Sequence, residues 1–280
     1  MERSARIFST ESPRLAPGSL ALLARVRDTG GYSSRNTSKG ALLKEGFTIF
    51  RAMREGNLSP DELRELALRG QMFPGASFEN RQRIWDNLHY RYFAPANPWI
   101  TASLAAATTA GATSPGFLSL AYLYFALRDR FTFDVATRLI WERWRGRSLA
   151  ISTADALQFL DREAENNPAV KRWNPSTRAK LAPSILAALR DFGVLRGVYS
   201  KQILRPVVSQ ETVFHLVCVL IAEGLHGRSV IEAPDWRLFL WTEDDAAKAL
   251  TELAQRRWIR FERGGRTVIL ELVRMPGVGI

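Results

Sequence analysis

Arg138, Trp141 and Arg145 stand at i, i+3 and i+7, a spacing that puts two guanidiniums and an indole on one helix face. Arg143 and Arg147 add charge beside them. A guanidinium fork binds phosphate oxygens, and an indole between two of them either stacks on a nucleobase or is covered by the arginine stems. Further cations gather at Arg81 and Arg83 and at Lys171, Arg172, Arg178 and Lys180, while Arg35, Lys39 and Lys44 lie at the start of the helical region. Each group alone is ordinary helix surface. Together they point to contact with a phosphate backbone.

The residue types that carry catalysis are not arranged for it. His89, His215 and His226 are far apart and show no metal-ligand spacing. No glycine-rich loop precedes a lysine to cradle phosphates, and no nucleophile elbow occurs. Scattered carboxylates still leave a spatially assembled site open. The expectation is a non-enzymatic protein with no cofactor and no metal.

Charge supports the same direction. Lys and Arg number 39 against 28 Asp and Glu, a formal net charge of +11, which is the electrostatic footprint of a polyanion binder. Apolar residues at 46% with 8 Trp exclude wholesale disorder, and 280 residues suffice for two domains with their own cores. The single Cys218 provides no disulfide framework and fits a reducing cytoplasm; its apolar neighbours mark it as a small buried residue. The start, Met1 to Arg6, lacks the apolar core and cleavage site of a signal peptide.

One stretch imitates a membrane span. No charged residue occurs between Arg91 and Arg128. It carries Pro95, Pro98, Gly111, Pro115 and Gly116 among threonines and serines, whereas a spanning helix needs about 20 predominantly apolar residues. Two core helices split at Pro115-Gly116, with Leu118, Leu120 and Leu123 partly buried, fit better, so no membrane is expected.

The elements that must position these residues are mostly helical. Residues 1–31 read as a loose extension punctuated by Pro13, Pro17, Gly18 and Gly30-Gly31, in which Leu20, Leu22, Leu23 and Val26 form a short docking helix. Residues 32–200 form a helical domain without alternating strands. Ser38 caps a helix through Met53; Ser59-Pro60-Asp61-Glu62 starts one that ends at Gly70; a third runs from Ser77 through Tyr92. After the uncharged pair come helices from Asp134 to Arg145, from Ser152 to about Asn166, and one capped by Ser176. On the last, Leu181, Ile185 and Leu189 share a buried face while Arg178 and Lys180 stand in water.

Residues 207–275 change character: a strongly apolar helix at Glu211–Glu223, a short one at Trp236–Trp241, and one opened by Thr242 and Glu243-Asp244-Asp245. Two strands then flank Gly264-Gly265 as a tight hairpin. This is the order of a winged-helix-like domain. Its third helix would meet DNA with an acidic start, which phosphates repel. Residues 201–280 hold eleven Lys and Arg against ten Asp and Glu, a net +1, which leaves +10 to residues 1–200. Nucleic-acid contact is therefore expected from the helical domain, with Arg257, Arg260, Arg263 and Arg266 of the hairpin region as a secondary contact.

Two stretches carry a family resemblance: Tyr32-Ser33-Ser34 with Thr37-Ser38-Lys39-Gly40-Ala41-Leu42-Leu43-Lys44-Glu45, and Trp173 to Thr177 with Leu181, Leu189 and Asp191-Phe192-Gly193-Val194-Leu195. The chain resembles the BrxA family of bacterial BREX phage-defence systems. The resemblance implies a mainly α fold: a helical-bundle N-terminal domain like NusB-type antitermination factors, ahead of the C-terminal winged-helix-like domain carrying a β-hairpin. It implies a non-enzymatic DNA-binding protein, with partners among the defence system's methyltransferase, ATPase and phosphatase-like subunits. The expected function is binding of duplex DNA with little sequence preference. The alternatives are a protein–protein adaptor that meets an acidic partner subunit, and an RNA-binding NusB-like factor.

Overall fold

The computed structural model describes residues 22–35, 39–198, 200–265 and 267–274. Ser38, Leu20 with most of the 1–31 extension, and Arg266 lie outside the described residues. The chain is mainly helical.

Helix α1 (Leu43–Gly56) begins later than a Ser38 cap would place it. Leu42 ahead of it holds left-handed backbone at φ 52, and the fully buried Arg91 donates to the carbonyls of Gly40 and Ala41 at 2.7 and 2.8 Å. A guanidinium reaching in from elsewhere therefore fixes the chain's entry, and burial lowers its pKa to about 10. Helix α2 (Pro60–Leu68) opens with the expected capping box between Ser59 and Glu62. Helix α3 (Phe78–Leu88), capped by Ser77, continues through a π-helical turn at His89–Phe93.

The uncharged run splits as expected into α4 (Pro98–Ala107) and α5 (Pro115–Leu127), each opened by a capping side chain, Asn97 or Ser114, and a proline. No helix among the described residues is long and apolar enough to cross a membrane. Helix α6 starts at Arg130 rather than Asp134, because Asp129 accepts from the Thr132 amide; it runs through a π-helical stretch at Val135–Ile140 to Arg145. Helix α7 (Thr153–Asn166) carries the Ser152–Asp155 capping box.

After the short α8 (Pro168–Lys171) comes α9 (Pro175–Asp191). Its cap is Asn174, which accepts from the Thr177 amide at 2.8 Å; Ser176, the expected cap, instead donates to the same Asn174 oxygen. A cap precedes the first helical residue, here Pro175, so Ser176 stands too late in the chain. Leu181, Ile185 and Leu189 do share a buried face.

Three short strands interrupt what the sequence presents as purely helical: β1 (Ala150–Ile151), β2 (Leu195–Arg196) and β3 (Lys201–Ile203), antiparallel in the order β1-β3-β2. Strands of two or three residues are too short for alternation to show. Helix α10 (Gln210–Ala222), the short α11 (Arg228–Ile231) and a 3-10 turn at Pro234–Phe239 precede α12 (Glu243–Gln255), which has a Thr242–Asp245 capping box. The hairpin of β4 (Ile259–Gly264) and β5 (Thr267–Leu272) is as expected, with Gly264 paired to Thr267.

The core passes through the expected boundary at 207 without a break. Helix α5 is buried on nearly every side, and α10 supplies part of its cover. His215 on α10 stacks on Trp99 of α4 at 3.6 Å between ring centroids, and its Nδ1 lies 2.6 Å from the Tyr124 hydroxyl. Ser119 and Thr212 hydroxyls meet at 2.8 Å. The segment before α1 also crosses the molecule: Leu23 and Val26 are fully buried, and Arg27 pairs with Glu223 at 2.8 Å and Asp235 at 2.5 Å.

Burial depresses the pKa of the His215 ring, only partly opposed by Glu211, and Arg274 depresses it further. The folded chain then stays neutral where the unfolded chain takes up a proton. Stability should be full above about pH 6.5 and fall as pH drops below it. His215→Gln should be less stable at neutral pH but lose that fall. Parallel melting curves for both proteins from pH 7 to 5 would contradict this.

Candidate nucleic-acid interface

The structure sorts the sequence-predicted cations into two groups. Arg138 donates to Glu163 at 2.6 Å and lies 3.8 Å from Asp134, within a cluster in which the Tyr32 hydroxyl also donates to Asp134 and Glu163. The hydrogen bond to Glu163 holds its guanidinium more firmly protonated. Arg143 pairs with Asp155. Arg178 pairs with Asp161 at 2.9 Å and donates to the Trp173 carbonyl; its side chain is only 18% exposed, so it does not stand in water. Arg81 donates to the carbonyls of Leu68 and Ala76 at 2.9 and 2.7 Å, tying the end of α2 to the entry of α3. These four hold the fold together. Carboxylates and carbonyls on neighbouring segments take them up, which spacing along one helix does not reveal.

Lys44, Arg83, Arg145, Arg147, Lys171, Arg172 and Lys180 are exposed, and none has an acidic partner among the described residues. Lys39 is half-buried, and Arg35 lies over the Tyr90 ring at 4.4 Å. Trp141 is 9% exposed, with the guanidiniums of Arg145 and Arg237 each 5.7 Å from its ring centroid. The covered-indole alternative therefore describes Trp141, and a base would have to displace an arginine to stack on it.

The distal end of α6 separates two concave surfaces. On one side, a groove of about 340 Å³ is lined by Leu139, Glu142, Arg143, Ser148, Asp155, Gln158 and Arg162. Asp155 is held ionised by the Ser152 cap and by Arg143, so its charge is already balanced. Arg162 adds a cation absent from the sequence reading: it lies one turn beyond Gln158 on α7 and is exposed. On the other side, a cavity of about 310 Å³ is lined by Trp141, Arg145, Trp236, Arg237 and Trp241, but also by Glu232, Glu243 and Asp244. Three carboxylates make that side unsuited to phosphate. Arg147, in left-handed backbone at φ 57, follows the end of α6 beside the first groove.

The hairpin region contributes less than its composition suggests. Arg260 pairs with Glu262 and Glu271, and Arg263 with Asp244. At the acidic start of α12, Arg205 pairs with Asp245 at 2.8 Å. Arg257 is exposed, with no acidic partner among the described residues. Among those residues, no group of His, Cys, Asp and Glu could hold a metal ion.

Arg138→Glu would set a carboxylate beside Asp134 and Glu163 and should lower stability by about 1–3 kcal/mol. Arg145→Glu should change it by less than about 0.5 kcal/mol. Denaturant titrations that rank the two variants the other way would contradict this sorting.

The fold is similar to that in the crystal structure of an uncharacterized protein from Magnetospirillum magneticum, with a TM-score of 0.53 and 15% sequence identity. The match covers 76% of this chain and 100% of that one, and at such identity it shows the fold alone. No curated protein matches the chain. The model of one protein family, BrxA, matches residues 30–218.

Proposed function

Because the chain belongs to the BrxA family, and so is a BREX-associated protein, we propose that it is a non-enzymatic, cytoplasmic accessory protein that grips the phosphate backbone of duplex DNA. One observation carries this reading. Arg147 stands exposed, without an acidic partner among the described residues, between Gly146 and Ser148 of a groove wall. There Arg143 has already balanced Asp155, and Arg162 adds charge against that of Glu142, while Arg145 stands exposed two residues back on the other side of α6. Long-range attraction from the net +11 would bring DNA to this edge. Backbone contacts of this kind position a duplex without reading its sequence. Lys171, Arg172 and Lys180 are the further contacts proposed from the same half of the chain. The winged-helix-like C-terminal part takes a supporting role, since α12 opens with Glu243, Asp244 and Asp245. A chain cut at 207 would strip α10 from α5, so the division of labour is testable only in full-length variants.

A second reading has its own support. Four large apolar residues, Leu149, Val198, Leu204 and Val207, are exposed on and around the small sheet of β1, β2 and β3. They fit a surface for another subunit of the defence system, such as its methyltransferase, ATPase or phosphatase-like component. The two readings are compatible, because the apolar residues are not those assigned to phosphate.

The logarithm of the affinity for duplex DNA should fall linearly with log salt, by a slope of about −0.9 per phosphate contact. Alanine at Arg145 and at Arg147 should each flatten the slope by about 0.9 and weaken unrelated sequences alike. Fluorescence anisotropy from low to physiological salt measures both. A flat response would refute the proposal, and tighter binding of an RNA duplex of the same length would move it to RNA.

A further inference from the structure

A cavity of about 440 Å³ lies between α4, α5 and the start of α10, on residues that the arginine groove does not use. Its apolar walls are small: Ala106, Ala107, Gly116 and Leu120. A Cβ built on Gly116 meets nothing within 4 Å, so that wall opens on space rather than on a packed neighbour. Its polar end is formed by Ser103, Ser209, Glu211 and Arg274.

That end is built and incompletely satisfied. Glu211 Oε2 accepts from Arg274 at 3.2 Å, while the solvent-shielded Oε1 accepts no hydrogen bond among the described residues. His215 Nε2, 3.6 Å from that oxygen, falls beyond hydrogen-bond distance. The same nitrogen lies 3.0 Å from Ser103 Oγ, and a carboxylate nearby favours the proton on it. With Nε2 protonated, Nδ1 accepts from Tyr124 and Ser103 Oγ accepts from Nε2, which leaves the Ser103 hydroxyl hydrogen without an acceptor among the described residues. Ser103 is only 4% exposed. The polar end therefore offers one unused acceptor, Glu211 Oε1, and two donors, Ser103 and Arg274.

We propose that this cavity binds a small neutral molecule with an apolar body and a carboxamide-type head, whose N–H donates to Glu211 and whose carbonyl accepts from Arg274 or Ser103. Glu211 and Arg274 already balance each other and are only partly exposed, so a charged ligand would leave one charge uncompensated where hydration is reduced. A carboxamide matches because it carries donor and acceptor side by side, and the small walls accept an aromatic or branched alkyl body. A mostly apolar pocket with a few convergent polar groups is the usual form of a ligand site.

Benzamide is the probe, titrated into the full-length chain by calorimetry and by tryptophan fluorescence, since the Arg274 guanidinium lies 4.4 Å from the Trp258 ring. Saturable one-site binding is expected, with benzoate and benzylamine at least about tenfold weaker, a difference of about 1.4 kcal/mol. Gly116→Leu and Ala107→Leu fill the cavity from two helices. Each should weaken benzamide at least about tenfold while leaving affinity for duplex DNA unchanged. If one variant fails to fold, the other decides. The proposal is overturned if benzamide does not bind saturably, if charged analogues bind as well, or if folded filling variants bind as the parent does.

Discussion

Helix α5 can exist only if something covers it on every side. From Ser119 to Leu127 each of its residues is buried, and the helix carries no charge. An all-round apolar helix has no face to give to water, so it becomes the axis about which the fold must close. Helices α3, α4, α6 and α10 and the segment before α1 all join the core that surrounds it. The buried Tyr122 hydroxyl has no hydrogen-bond partner among the described residues, but two other polar groups of the helix are met within that cover: Ser119 by Thr212, and Tyr124 by His215. Leaving either unmet would cost about 1–3 kcal/mol. The same constraint explains why a stretch that imitates a membrane span is instead the centre of the molecule.

Arginine does two kinds of work around this axis. Arg91, Arg81, Arg128 and Arg178 donate to main-chain carbonyls, and Arg27, Arg138 and Arg143 to carboxylates, with Arg178 also ion-paired to Asp161. The planar fork suits both tasks, which lysine's point charge does not. Only cations outside this internal set, such as Arg145 and Arg147, stay available to a partner. Net charge counts both kinds equally, so it overstates the surface offered to phosphate.

Local signals were legible in the sequence. The boxes Ser59–Glu62, Ser152–Asp155 and Thr242–Asp245 each sit within four consecutive residues and fold as their spacing requires. The Gly264-Gly265 turn is equally local. What escaped depends on residues far apart. Asp155, Asp161 and Glu163 on α7 face arginines of α6 and α9, and nothing in either helix's own periodicity records it. Arg162 reaches the groove only because α7 packs beside the end of α6. Asn174 displaced Ser176 as a cap because Pro175 sets the first helical position. The glycine and serines of the cavity wall read as ordinary helix residues until α4, α5 and α10 meet.

Arg27 and its carboxylate partner Glu223 are 196 residues apart in the chain. A ribosome adding about 5–20 residues per second makes the second about 10–40 s after the first. Throughout that interval Leu23 and Val26 have no finished seat, and the uncharged helices lack the α10 side of their cover. The nascent chain therefore passes through a long period with its most apolar segment open, and closure waits for a step that joins parts 196 residues apart. A fold of this kind depends on protection during synthesis more than one whose elements dock in the order they emerge.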